Sequence, residues 1–76
     1  MQEFIAYIIK NIVSNPDAVE VRESSGEQIM IIEIRAAAED IAKVIGKQGR
    51  TIKAIRTIAG GEGARRGRHV RIDVIQ

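Results

Sequence analysis

The chain has 76 residues, with 12 Lys and Arg against 10 Asp and Glu, no cysteine and one histidine, for a net charge of +2. That length predicts a single domain spanning 1–76, and the lack of cysteine excludes a disulfide framework or a thiolate zinc site. A lone His69 excludes a multi-histidine metal cluster, so stability must come from an aliphatic core, since Phe4 and Tyr7 are the only aromatics.

No apolar run approaches the roughly 18 residues that cross a bilayer, so no membrane insertion is expected. Glu3 precedes the N-terminal apolar residues, which is not the basic-then-apolar order of a signal peptide. A cytoplasmic location is the corresponding expectation. The modest net charge conceals a division. Residues 1–42 carry three basic side chains against eight acidic ones, a balance of −5, and residues 43–76 carry nine against two, a balance of +7. Such asymmetry points to an anionic partner or to an uneven solvated surface.

In chain order, Phe4, Ile5, Ile8, Ile9, Ile12 and Val13 recur at three- and four-residue intervals and predict a helix with one apolar face. Asn15-Pro16 ends it, because the residue before proline is pushed out of the α region. Val19 and Val21 alternate with Glu20 and Arg22, predicting a half-buried strand, and Ser24-Ser25-Gly26-Glu27 reads as a turn. Gln28–Arg35 is a second strand, with Met30, Ile32 and Ile34 on one face and Ile29 and Ile31 beginning the other, so a central or covered position is expected.

Ala36–Ala38 leads into a second helix, where Glu39 and Asp40 offset the positive end of the helix dipole. Ile41, Val44 and Ile45 form its buried stripe. The turn Gly46-Lys47-Gln48-Gly49 separates it from a third helix starting near Arg50. In that helix Ile52, Ile55, Ile58 and Ala59 gather on one side, Arg50, Lys53 and Thr57 on the other, and Arg56 falls at the boundary. Gly60-Gly61 is read as its end, followed by a basic glycine-rich loop over 62–67. Val70, Ile72 and Val74 alternate with His69, Arg71 and Asp73 in a last strand.

The order helix-strand-strand-helix-helix-strand defines an α+β chain. A three-stranded mixed sheet with three helices packed on one face would bury every stripe. The last strand should return parallel to the one before the helices, since a helical crossover is the connection parallel neighbours require.

The pattern Ile45-Gly46-x-x-Gly49-x-x-Ile52, set between two apolar helices, resembles the KH domain, a module that clamps nucleotides with a GXXG loop. An order that opens with a helix and hairpin and closes with a strand resembles the type II KH fold. The run Gly49-Arg50-Thr51-Ile52-Lys53-Ala54-Ile55-Arg56-Thr57, with Asn15-Pro16-Asp17-Ala18 and Val70-Arg71-Ile72, resembles the KhpA family of small bacterial RNA-binding proteins over essentially the whole chain. The resemblance implies a single-stranded RNA chaperone or post-transcriptional regulator, and neither a cofactor nor an enzymatic activity is expected. It also implies pairing as a homodimer or with a KhpB/Jag-like KH protein, in processes that include cell-envelope growth and cell shape.

The residues suit that chemistry. A β-carbon at either glycine would obstruct close approach of successive phosphates. The turn leads into a helix N-terminus whose unpaired N–H groups favour an anion. Lys47 supplies a mobile charge, Gln48 an amide, and Arg50 a forked donor, and Lys53 could extend the phosphate track. Ile45 is the candidate wall of a base groove, with core packing as its alternative role. The expected RNA-binding set is therefore Ile45, Gly46, Lys47, Gln48, Gly49, Arg50 and Lys53. No strand carries the aromatic ring on which RRM or OB-type readers stack bases.

Catalysis finds no support, because Glu39 and Asp40 do not face one another and Gly46–Thr51 lacks the Walker spacing. Two alternatives stand beside the RNA clamp. A helix-turn-helix would place the third helix in the major groove of duplex DNA. A protein-interaction module would keep the fold and pair through the apolar N-terminal helix.

Overall fold

The computed structural model describes residues 1–75. Helix α1 spans Gln2–Lys10, strands β1 and β2 span Glu20–Ser25 and Ile29–Arg35, helices α2 and α3 span Ile41–Ile45 and Arg50–Arg65, and strand β3 spans His69–Ile75. Short 3₁₀ turns at Pro16–Ala18, Ala38–Asp40 and Lys47–Gly49 precede β1, α2 and α3. The strand order is β1-β2-β3. β1 runs antiparallel to β2 with Val21 opposite Ile34, and β3 runs parallel to β2 with Ile32 opposite Ile72. The α+β order and the mixed three-stranded sheet match the sequence expectation.

β2 occupies the centre for a physical reason. Its isoleucines carry the most apolar surface of any strand, and the central position pairs its backbone on both edges. Met30, Ile32 and Ile34 face the helices, buried to 3%, 0% and 0% exposure. Ile5 and Ile9 of α1, Val44 of α2, and Ile52, Ile55 and Ala59 of α3 pack over them. Each fully buried isoleucine contributes roughly 1.5–3 kcal/mol. With no cysteine and no cluster of metal-ligating side chains among the described residues, that packing holds the fold.

Two helix ends differ from the sequence reading. α1 stops at Lys10 rather than running to the proline, and Ile12 and Val13 fall in the connection to β1. The Asn11 amide side chain turns back to donate to Tyr7 O at 2.7 Å, the kind of local competitor that ends a helix early. Pro16 instead opens a 3₁₀ turn at the position where its missing N–H costs nothing.

α3 continues through Gly60 and Gly61 to Arg65. Its true stop is a Schellman motif. Arg68 N–H donates to Gly63 O at 2.9 Å, Gly67 N–H donates to Ala64 O at 3.1 Å, and Gly67 takes φ +67°. Gly63 is a packing residue, since a Cβ there would overlap Val70 Cγ2 and stand 2.9 Å from Arg68 O. Gly60 and Gly61 have open space where a Cβ would point. Glycine stops a helix only if the chain beyond it gains from leaving, and here Gly63 packing on β3 favours continuation.

Gly60→Ala and Gly61→Ala should each raise stability by about 0.5–1 kcal/mol, because both sites are helical and open. Gly63→Ala should lower it by about 1–3 kcal/mol through overpacking against a stiff valine. Urea unfolding of the three variants measures both signs.

Candidate nucleic-acid interface

The turn between α2 and α3 is a strained, well-defined piece of backbone. Gly46 N–H closes α2 onto Ala42 O at 2.8 Å, and Gly49 N–H then donates to Gly46 O at 3.0 Å. Gly46 has φ +81°, Gln48 has φ +57° and ψ +26°, and Gly49 has φ +74° and ψ +15°. Two consecutive left-handed residues are costly for any side chain other than glycine, about 1–2 kcal/mol at Gln48. Gln48 is the sole non-glycine residue with positive φ among those described. Such strain, held in place by its surroundings, concentrates at functional sites.

The two glycines are required for different reasons. A Cβ at Gly46 would overlap Thr51 Oγ1 and stand 2.7 Å from Thr51 Cβ and 2.8 Å from its N. Gly46 thus lets the end of α2 close onto the first turn of α3, an internal demand. At Gly49 the nearest atom to a Cβ is Lys53 Cε at 4.0 Å, so its left-handed φ is the constraint and the space above it is open. The sequence reading assigned both glycines to the approach of a nucleic acid. The structure gives Gly46 an internal packing role and leaves the space beside Gly49 open.

Gly49 is the N-cap of α3, and no side chain caps the helix. Its first N–H groups therefore lack intrahelical partners. Lys47, Gln48, Arg50 and Lys53 are exposed around this end, and Arg50 Nη2 donates to Gln48 Oε1 at 3.2 Å. Ile45 is half-buried and packs against the core, as does the neighbouring stripe residue Val44, which is fully buried. Ile41 and Ile45 keep part of their surface free beside the turn, while Ile52 is core. All seven predicted residues are thus placed on one short stretch, with four exposed polar side chains and one half-buried aliphatic side chain.

Several other basic residues are engaged. Arg56 Nη2 donates to Ile72 O on the outer edge of β3 at 3.1 Å. Arg66 pairs with Glu62 at 3.1 Å, and Arg65 approaches the same carboxylate at 4.0 Å. These last two sit at the far end of α3, about 24 Å from Gly49 at 1.5 Å per residue. His69 is exposed at the start of β3.

Sequence reasoning missed Asp40. It treats this residue as a dipole partner, whereas the structure buries it completely. Asp40 Oδ1 accepts Ser14 N–H at 3.1 Å, and Oδ2 accepts Asn15 N–H at 2.9 Å and Asn15 Nδ2 at 3.1 Å. Lys43 Nζ lies 3.6 Å from Oδ1 and bonds the Ser14 hydroxyl. Burial pushes the carboxyl pKa up, but the three hydrogen bonds and Lys43 outweigh it, leaving the group below the ordinary carboxylate value. The Asn15-Pro16 turn and the acidic N-cap are both visible in the sequence. Their union across 25 residues is not.

A five-residue α2 followed by a GXXG turn and a long α3 against a three-stranded mixed sheet defines a KH domain. The helix-turn-helix alternative fits poorly, since strands flank the helix pair and a glycine stands at each end of the turn. The family described as "KhpA/KhpB, KH domain" matches residues 2–74, and the chain belongs to it. It is a KH-domain family and not an enzyme family. The chain is 45% identical to an RNA-binding protein KhpA of Chlamydia pneumoniae, covering 100% of this chain and 97% of that protein. It is 47% identical to an RNA-binding protein KhpA of Caldanaerobacter subterraneus, covering 99% and 100%, and 39% identical to one of Streptomyces coelicolor, covering 99% and 91%.

Because the folded-state pKa of Asp40 is depressed, its stabilising contribution is complete above the ordinary carboxylate range. It is lost as pH falls from that range through the lower folded-state value. Unfolding midpoints measured from neutral pH downward should therefore fall in acid for the native chain, and Asp40→Asn should start lower and show a flatter acid limb.

Proposed function

We propose that residues 1–76 act as one type II KH domain that binds single-stranded RNA through the Gly46–Gly49 turn. The observation that carries this reading is the left-handed Gln48–Gly49 backbone standing uncapped before a 16-residue helix, ringed by exposed Lys47, Arg50 and Lys53. Backbone N–H groups and the helix N-terminus receive a phosphate, Lys47 and Arg50 neutralise it, and Lys53 meets the next one. Gln48 offers its amide once Arg50 turns to the phosphate, and Ile41 and Ile45 give the bases an aliphatic wall. The names of the relatives, RNA-binding proteins of nearly the same length, support the choice of RNA. In this reading the chain is a cytoplasmic RNA chaperone or post-transcriptional regulator working with a KhpB/Jag-like KH protein in cell-envelope growth and cell shape.

Pairing has its own support. Phe4, Tyr7 and Ile58 are 50%, 69% and 51% exposed, and a groove of about 550 Å³ between α1 and α3 is lined by Met1, Phe4, Ile8 and Ile58. This surface suits a homodimer or the second KH chain, and none of its lining residues belongs to the Gly46–Gly49 turn.

Replacing Lys47 and Gln48 with Asp should weaken binding to an unstructured RNA at least tenfold with the circular dichroism unchanged. Three phosphate contacts predict that log K falls with log salt at a slope of about −2 for a single strand. Equal affinity of the variant, or a preference for duplex DNA in competition, would sink the assignment. Ile58→Glu should abolish concentration-dependent association in sedimentation while RNA binding per chain persists.

A further inference from the structure

α2 is too short to hold its own direction, since a single turn and a half of helix is not stable in isolation. Three attachments hold it. Val44 plugs the core, Gly46 closes against Thr51, and Asp40 ties its start to the α1–β1 connection. The first two are ordinary packing. The third is a fully buried carboxylate, the one charged side chain in the interior among the described residues. Burying a carboxylate is expensive, and an apolar residue of similar volume often serves stability as well. Every feature of this carboxylate is directional instead. Two successive backbone N–H groups and one amide converge on its two oxygens from a strap 25 residues away, and Lys43 closes the remaining side.

We infer that Asp40 is the positioning residue of the clamp. By gripping Ser14 and Asn15 it sets the start of α2, and the short helix, pinned further on by Val44, carries that setting to Gly46, about 9 Å along the axis. The Gly46–Gly49 backbone, the free surface of Ile41 and Ile45 and the N-terminus of α3 then keep one mutual geometry. The same network commits Lys43. Its ammonium is held by Ser14 and Asp40, so it stands outside the phosphate contacts despite preceding Lys47 by a single helical turn. The inference rests on the RNA-clamp reading and adds what holds that clamp in shape.

The test compares the native chain with Asp40→Asn, Asn15→Ala and Lys43→Ala, using a short unstructured RNA oligonucleotide. Asparagine keeps the shape of Asp40 but presents an N–H₂ to a donor and lacks the charge. Measurements are made at a temperature where circular dichroism shows each variant folded. Asp40→Asn should weaken binding about tenfold, as a misplaced constellation does, with an unchanged salt slope because no phosphate contact is removed. The amide resonances of Gly46, Gly49 and Arg50 should shift in the free protein. Asn15→Ala, which keeps both backbone donors, should shift the same resonances with a smaller loss, and it carries the test should Asp40→Asn not fold. Lys43→Ala should leave the salt slope unchanged.

A variant at Asp40 or Asn15 that melts earlier yet binds RNA as the native chain does, with clamp resonances in place, would overturn the inference. So would a fall of about one in the salt slope for Lys43→Ala, which would make Lys43 a phosphate contact. Failure of the clamp reading itself has a separate signature, since the Lys47 and Gln48 double replacement would then bind RNA normally.

Discussion

The structure depends on one apolar sheet face covered by helices on a single side. Met30, Ile32 and Ile34 on β2 present it, and Ile5, Ile9, Val44, Ile52, Ile55 and Ala59 close over it. No disulfide stands behind this contact, so each helix must reach the sheet with its stripe in register. α3 satisfies that demand along its whole length. Its glycine at 63 lets the final turn descend onto Val70, and Arg56 satisfies an edge carbonyl of β3 on the way. The outward side of the same helix is polar at its start and exposes Ile58 further along.

The α2–α3 turn inherits its shape from that packing. Val44 and Ile52 are both buried within eight residues of one another, so the chain must reverse direction sharply between them. A turn so constrained uses positive φ at Gly46, Gln48 and Gly49, and it exposes peptide groups at the head of α3. The electrostatics follow the same geometry. Acidic residues of the first half lie on α1, the hairpin and the approach to α2, and the basic residues flank the turn and α3. The apolar groove between α1 and α3 is lined by Met1 and residues of those two helices and by none of the Gly46–Gly49 turn.

Much of this was legible in the residues. The isoleucine alternation of 29–34 identifies a central strand, and the order of elements with the parallel return follows from periodicity and connection length. The GXXG spacing between two apolar stripes identifies the turn. The errors share a cause. Gly60-Gly61 reads as a helix stop because local propensity is all a single sequence exposes, but Gly63 meeting β3 outweighs it. Asn15-Pro16 reads as the end of α1, yet the helix frays earlier, where Asn11 caps it from its own side chain.

The sequence by itself determined which faces are apolar, where the chain must turn, which glycines punctuate it and where positive charge collects, because those are local properties of side chains. The tertiary structure alone decided which glycine serves which purpose, since the reason for Gly46 is Thr51 at the head of α3 and the reason for Gly63 is Val70 on the strand that follows. It alone decided that Asp40 leaves the surface to join Ser14 and Asn15, and that Arg56 and Lys43 are committed while Lys47, Arg50 and Lys53 stay exposed. Hydrogen bonds and close approaches across long stretches of chain exist only once packing brings the partners together.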